Sequence, residues 1–365
     1  MAIHFSDEQY STLRDTYNLW WKGDLDRPIV TIITSGHETD VKTDATPLSF
    51  YTAWNFSVGV KEYIDAHDAL LSTYRWHGEA FPYMKTEAFG PGVLAAFLGC
   101  TPVGTPSTVW FKPPRENIPI EELHFEFDEN NIYYRRVLNF YEAALEKWHG
   151  MVTVGMVDMG GILDVLQSFR GAENLLMDLY DSPEEVLRCV NELQKMWFVY
   201  YDKINDMLAP EAKGYSHWFG TYHDKPSYIL QSDFSYMIGP RMFDEFVAPE
   251  LSSSGARMSN AVYHLDGIGE LAHLDSILAI DSIKGIQWVP GSGYPEHQNW
   301  DEVITRILDA GKKLLSCGKK PDGTPADPAK NRPGQLYYYP EIFSQDRIEE
   351  ARRYGGLYGI EVSSR

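Results

Sequence analysis

Ala261-Val262-Tyr263-His264-Leu265-Asp266-Gly267 is a short apolar run that stops on a histidine, an aspartate two residues on, and a glycine. An apolar run of this length with β-branched and aromatic residues predicts a buried β-strand. Alternation along a strand sends residues i and i+2 to the same side, so His264 and Asp266 face one site together. A His-x-Asp pair at a strand end binds a divalent metal, holds a general base, or anchors a loop. The pair alone does not choose among these.

Working outward, the same rhythm recurs. Residues 29–34 (IVTIIT) form a first buried strand that ends at Ser35-Gly36-His37-Glu38. Residues 81–89 read as a second extended segment, and residues 151–157 (MVTVGMV) as a strand ending at Asp158-Met159-Gly160-Gly161. Further strands are expected at 214–219, 261–266, 282–290 and 313–317, and a last one ending near Glu361. Helical patterns separate most of them. Repeated β-α units imply a parallel sheet, and about eight of them over this length favour a TIM (β/α)8 barrel of the α/β class with helices outside. A doubly wound open sheet is the alternative, but the expected glycine fingerprint after the first strand is absent. Residues 1–365 read as one domain. Ser6 followed by Asp7, Glu8 and Gln9 starts a capped N-terminal helix within residues 1–28. Residues 46–78 are aromatic, helical in pattern and without a strand signal, as expected of a lid-like insertion. Residues 105–128 suggest a hairpin excursion.

The composition sets outer bounds. The chain has 365 residues, 44% of them hydrophobic, enough to bury a large core. A formal net charge of -20 disfavours contact with nucleic-acid backbones or an anionic membrane surface. Cys100, Cys189 and Cys317 are far apart and form no metal-knuckle or disulfide pattern. The N-terminus has no signal-peptide core and no apolar run is long enough to span a bilayer, so a cytoplasmic location is expected. The aromatic content of 14% suits a packed core and equally a pocket for a flat organic ligand.

In a barrel of this type the chemistry lies at the C-terminal ends of the strands. That rule selects His37 and Glu38, Glu87, Asp158, His217, His264 with Asp266, Gln287 and Trp288, Cys317, and Glu361. His264 and Asp266 supply one nitrogen and one oxygen ligand, and Cys317, Glu361 or His217 would complete a tetrahedral zinc site. His264 alternatively serves as an acid-base group. Gln231 and Asp233 lie in a polar loop, where a carboxylate receives a substrate N–H, binds a metal, or caps a turn. Asp158 beside Gly160-Gly161 opens a helix whose N–H groups suit a ligand carboxylate.

These strand ends resemble the uroporphyrinogen decarboxylase superfamily, including its cobalamin-linked methyltransferase branch. The resemblance runs from Arg27 to Glu361 and is carried by residues 155–171 (GMVDMGGILDVLQSFRG), 233–251 (DFSYMIGPRMFDEFVAPEL), 263–267 (YHLDG) and 283–291 (IKGIQWVPG). It implies a TIM barrel. Two departures qualify it. Porphyrinogen-decarboxylating members carry an arginine-rich segment after the first strand, and here residues 34–40 (TSGHETD) contain no arginine. The methyltransferase branch activates a thiol on zinc through His-x-Cys and a later Cys, and here the matching pair is His264-x-Asp266. A carboxylate gives a harder, more Lewis-acidic zinc site than a thiolate.

The leading expectation is an enzyme acting on a small organic substrate, transferring a methyl group in concert with a corrinoid protein, with zinc as the metal. His264, Asp266, Asp233, His217 and Tyr263 are the candidate catalytic residues. His37, Glu87, Asp158, Gln231 and Trp288 are candidate substrate contacts, and His264, Asp266, Cys317 and Glu361 candidate metal ligands. The second expectation is a metal-independent decarboxylase-like lyase that stabilises charge by hydrogen bonds from Asp233, Tyr263 and His264. The third is a ligand-binding barrel without catalysis. A homodimer is an additional candidate assembly.

Overall fold

The first helix, Asp7–Lys22, begins where Ser6 and Gln9 cap each other: Gln9 N–H donates to Ser6 Oγ (3.1 Å) and Ser6 N–H donates to Gln9 Oε1 (2.8 Å). A reciprocal cap of this kind stabilises a helix start by about 1 kcal/mol. The helix ends at Gly23, which takes the left-handed conformation with φ +86°. The computed structural model that shows this describes residues 3–294, 300–315 and 332–363.

The strands, in chain order, are β1 (Ile29–Ser35), β2 (Arg75–Gly78), β3 (Tyr83–Met84), β4 (Thr101–Gly104), β5 (Val109–Lys112), β6 (Thr153–Val154), β7 (Ile229–Leu230), β8 (Ala261–Asp266), β9 (Ile283–Val289), β10 (Lys313–Leu315) and β11 (Leu336–Ser344). Seven of them form one sheet in the order β2-β1-β11-β10-β9-β8-β7. Its neighbours pair parallel except β2, which runs antiparallel to β1. β3 and β6 make a separate parallel pair, extended by a single parallel bridge between Met156 and His217. The architecture is therefore α/β with a mostly parallel central sheet.

Among the described residues the strands do not close into the continuous eight-stranded barrel expected from the repeats. The reason lies at β1. Its residues 31–34 pair with β2, while its other edge pairs with β11. Both edges are thus taken, and β3 pairs with β6 instead of β1. Residues 46–78, expected to be a purely helical lid, accordingly end in a sheet strand. Their helix, Val60–Ser72, and the segment before it are hydrogen-bonded to the helix Ile132–Trp148. Trp148 Nε1–H donates to Asp68 (2.8 Å), Lys147 pairs with Asp65 (3.0 Å), and Arg136 donates to the carbonyls of Ala53, Asn55 and Val58.

Two further differences concern the C-terminal part. β11 covers LYYYPEIFS, where the internal Pro340 masks a strand in the sequence. Pro340 has no N–H to give, and the register of β11 on β1 shifts between Val30 and Ile32. Residues 356–362, expected to hold the last strand, are instead the end of the helix Ile348–Gly356, a turn, and irregular chain. Farther upstream, the excursion at 105–128 contributes β5 to a short antiparallel hairpin with β4 and then continues without regular strands.

Inside the curve of the sheet, Ile29, Ile229, Val262, Leu315 and Tyr337 meet Tyr10, Leu13, Tyr17 and Trp20 of the first helix. Outward-facing Val30, Ile32, Ala261, Tyr263 and Leu265 join a larger cluster with the surrounding helices. The alternation of β8 residues between these clusters is the period-2 pattern of a strand covered on both faces. Gly161, which precedes the helix Ile162–Arg170, sits so close to the Gln231 carbonyl that a Cβ would overlap its oxygen. Gly161→Ala is expected to cost about 1–3 kcal/mol of stability, measured as a lower urea midpoint with an unchanged m-value.

Candidate functional site

Parallel pairing of β8 on β9 places His264 opposite Gln287 and Asp266 opposite Val289. His264 Nδ1 lies 2.7 Å from Gln287 Oε1. An amide oxygen only accepts, so Nδ1 carries a ring proton, and in the neutral ring Nε2 presents its lone pair. Nε2 is 4.0 Å from the Asp266 carboxylate. The Trp218 ring stands nearly perpendicular to the imidazole, 5.4 Å between centroids, and walls one side of it. Asp233 completes the group: one ligand atom each from Asp233, His264 and Asp266 lie within 4.8 Å of one another.

Asp233 begins the tight turn Asp233–Met237. That turn hangs on Asp164, whose carboxylate accepts the backbone N–H groups of Asp233 (3.1 Å) and Phe234 (2.7 Å). Asp164 stands in the first turn of the helix Ile162–Arg170, where negative charge is also favoured by the helix dipole. Charge crowding dominates the electrostatics. Asp233 is exposed at the mouth, and the surrounding protein, then the charges of Asp266 and Asp158, push its carboxyl up from the usual range. Burial, then Asp233, raises Asp164 to about 7 against the pull of its backbone donors. Burial raises Asp158 to about 6, and a hydrogen bond from Gly160 N–H, the neighbouring His264 and the Tyr228 hydroxyl hold it from rising further.

The sequence-selected residues divide. His264, Asp266 and Asp233 come together. Asp158 lies behind them, buried, with Oδ1 occupied by Gly160 N–H and the Tyr228 hydroxyl. Gln231 is buried in the same loop as Asp233, with Oε1 lacking a hydrogen-bond partner. Tyr263 sits on the opposite face of β8 from His264, fully buried, and its hydroxyl donates to Glu270 (3.0 Å). Trp288 likewise faces away from Gln287 and packs edge-on against Trp300 at 5.3 Å. His217 is fully buried, 5.3 Å from the His223 ring, and neither of its ring nitrogens has a hydrogen-bond partner. Burial, reinforced by His223, pushes its pKa well below the usual value, so it is a neutral interior group.

His37 is at the end of β1, where its Nε2 contacts Thr34 Oγ1 and Gln345 Nε2, each at 2.9 Å. Glu87 is on a short turn and pairs with Lys85 at 3.7 Å. Glu361 is exposed on the irregular C-terminal segment and outside the three-residue cluster. Cys317 lies outside the described residues. Gln287, selected above among the strand ends, is the partner of His264, whereas Asp164, the anchor of Asp233, was not selected from sequence. No local sequence signal marks Asp164.

No protein-family model matches the chain, and no curated protein matches it. Among solved structures, it is similar to a methyltransferase from Methanosarcina mazei, with a TM-score of 0.58 over 90% of this chain and 93% of that one at 13% identity. Identity this low establishes a shared fold. No helix among the described residues is long and apolar enough to cross a membrane.

The raised carboxyls give stability a definite pH dependence. Burial lifts Glu250 from its usual 4.5 to about 7, with its Oε1 accepting from Ser254 (2.8 Å) and Asp164 adding repulsion. A folded-state value above the unfolded one means that the fold holds the proton more tightly. The stabilisation is full below the unfolded value and is lost as pH rises through the folded value. Glu250 and the other raised carboxyls therefore contribute a loss of stability from about pH 4.5 to about pH 7, opposed below the ordinary histidine value by His67, His77 and His223, whose lowered values add stability as pH rises. Glu250→Gln keeps an acceptor for Ser254 and removes one titrating proton. It should flatten the decline by at most about 1.4 kcal/mol per pH unit in urea melts across that window.

Proposed function

We propose that the chain is a metal-assisted methyltransferase that takes a methyl group from a small O- or N-methyl compound and passes it to a corrinoid carried by a separate protein. The observation that carries this reading is the Asp233, His264 and Asp266 cluster, with the His264 tautomer set by Gln287. A histidine that donates from one ring nitrogen to an oxygen while the other is free is the usual arrangement of a metal-binding imidazole. The donor set of one nitrogen and two carboxylates fits zinc. It is harder than a set containing thiolates and suits polarisation of an oxygen or nitrogen rather than activation of a thiol. A divalent ion held there would act as a Lewis acid on the heteroatom that loses the methyl group.

The protein's own contributions follow from the geometry. Gln287 holds the His264 ring in one tautomer, and Trp218 limits where that ring can turn. Asp164 holds the backbone that aims Asp233, and Asp266 supplies a second charge on the same side of β8 as His264. The fold shared with a methyltransferase supports the reaction class, and the resemblance of residues 155–171, 233–251 and 263–267 supports a corrinoid partner.

A metal-independent lyase is the second reading, favoured by Asp233. A carboxyl pushed up from the usual range beside His264 is a proton donor closer to neutral pH. Tyr263 takes no part in it, because its hydroxyl is buried on the far face against Glu270.

Metal analysis separates the two. The methyltransferase reading expects one zinc per chain, loss of that zinc in His264→Ala, and a zinc affinity about 10–100-fold weaker in Gln287→Leu. Tyr263→Phe should leave zinc affinity unchanged. Transfer of methyl from a methyl ether or methylamine to added cob(I)alamin should be lost with the zinc. A protein that binds no divalent ion, and that releases carbon dioxide from its substrate in the presence of a chelator, would establish the lyase instead.

A further inference from the structure

β1 ends in a chain of side-chain hydrogen bonds that the Asp233, His264 and Asp266 cluster does not use. Thr34 Oγ1 lies 2.9 Å from His37 Nε2 and 3.1 Å from His77 Nε2. Gln345 Nε2 lies 2.9 Å from the same His37 nitrogen and donates to the Ser35 carbonyl at 3.1 Å. Three strands meet in this chain. His77 is on β2, Thr34 is on β1, and Gln345 follows Ser344, the last residue of β11, which stands opposite Ser35. The Gln345 side chain passes over Gly36, with its Cγ 3.6 Å from where a Cβ on that glycine would stand.

Donor and acceptor counts fix the direction of each bond. A side-chain amide nitrogen only donates. The two protons of Gln345 Nε2 serve the Ser35 carbonyl and His37 Nε2, and an amide oxygen in that place would meet the Ser35 carbonyl with no proton between them. His37 Nε2 therefore presents a lone pair, and its ring proton is on Nδ1. A hydroxyl at 2.9 Å from a bare ring nitrogen donates to it, which leaves Thr34 Oγ1 to accept from His77 Nε2–H. The arrangement requires a neutral His37 ring. Burial, then the positive charge of Arg75 on β2, lowers the His37 pKa from its usual value. Burial, then His37, lowers His77 to about 4. The remaining charged groups nearby in the chain are Glu38, which is exposed, and Glu341, Asp346 and Arg347 of β11 and its turn. Asp346 accepts from Ser344 Oγ, Arg347 pairs with Glu350, and Glu341 acts on Arg347.

We infer that these side chains form a pH-sensitive clasp: a neutral His37 holds Gln345, and a protonated His37 releases it. The two ends of the chain respond differently to the proton. The Thr34 hydroxyl turns, accepts from the new His37 Nε2–H, and donates to His77 once that ring moves its own proton to Nδ1. Gln345 has no such freedom. Its nitrogen has no lone pair to offer, and turning the amide would set its oxygen against the Ser35 carbonyl. Acidification therefore frees the Gln345 side chain, at the head of the turn Gln345–Arg347 that leads into the helix Ile348–Gly356, while the ladders of β1 with β2 and β11 persist.

The test is NMR of the full chain with 15N-labelled histidine rings and glutamine side chains, followed from about pH 8 to about pH 5, a span that brackets the ordinary histidine value. At the upper end, His37 should show a protonated Nδ1 and a bare Nε2, and His77 the reverse. As His37 takes up its proton, the Gln345 side-chain NH2 signals should move to free-amide positions with the same midpoint, a readout that needs no variant to fold. Gln345→Ala removes a donor to the bare nitrogen and should raise the His37 midpoint toward the ordinary value. Gln345→Glu should raise it further, because a carboxylate accepts from the protonated ring and the clasp then closes on acidification. A protonated His37 Nε2 at the upper end, Gln345 signals unmoved across the His37 titration, or an unchanged His37 midpoint in Gln345→Ala would each overturn the inference.

Discussion

The register of β8 on β9 is the constraint on which the site depends. It sets His264 beside Gln287, and the resulting Nδ1–H···Oε1 bond of 2.7 Å decides which ring nitrogen is available. A slip of one residue would turn His264 and Asp266 outward and bring Tyr263 in, because the side-chain period of a strand is two. The apolar sorting of β8 opposes such a slip. Val262 belongs to the inner cluster, and Ala261, Tyr263 and Leu265 belong to the outer one. Burial of these side chains, at about 1.5–3 kcal/mol for each large one, therefore defends the geometry of two polar residues that contribute little to stability themselves.

The same packing creates the electrostatic problem at the strand ends. Asp158, Asp164 and Glu270 are raised by burial and by neighbouring carboxylates, and the exposed Asp233 is pushed up beside Asp266 and Asp158. The fold offsets part of this with fixed donors: backbone N–H groups on Asp164, Gly160 N–H and the Tyr228 hydroxyl on Asp158, and the Tyr263 hydroxyl on Glu270. These donors position the carboxyls without neutralising them. Crowded carboxyls facing a histidine lone pair form a place where a cation or a proton relieves strain, and that excess sets the chemistry available to the site.

The sequence made the β-α rhythm, the capped first helix and the His264-Asp266 pair legible, because each follows from local pattern. Asp233 was visible only as a polar residue in a loop; what aims it is Asp164, which lies 69 positions upstream. Tyr263 and Trp288 were chosen for their chemistry, although alternation from His264 and Gln287 already turned them to the outer face. His217 was chosen by its place near a strand end, and its burial depends on contacts made by distant elements. The occupation of both β1 edges was equally hidden, since residues 75–78 (RWHG) have weak strand character and gain their pairing from β1.

The interior around His217 and His223 is aromatic. His217 and His223 are fully buried, and burial keeps both neutral, His223 down to about 3. The His223 ring stacks on Trp21 at 5.4 Å, which carries the N-terminal helix into the same layer. Neither neutral ring offers a counter-charge to the carboxyls in front of it. The field of Asp158 and Asp233 therefore falls on the face that holds His264 and Asp266, where a ligand can meet it. Placing a positive charge in that interior, by protonating either buried histidine, would oppose the burial that holds the layer together and weaken the focus of negative potential at the mouth.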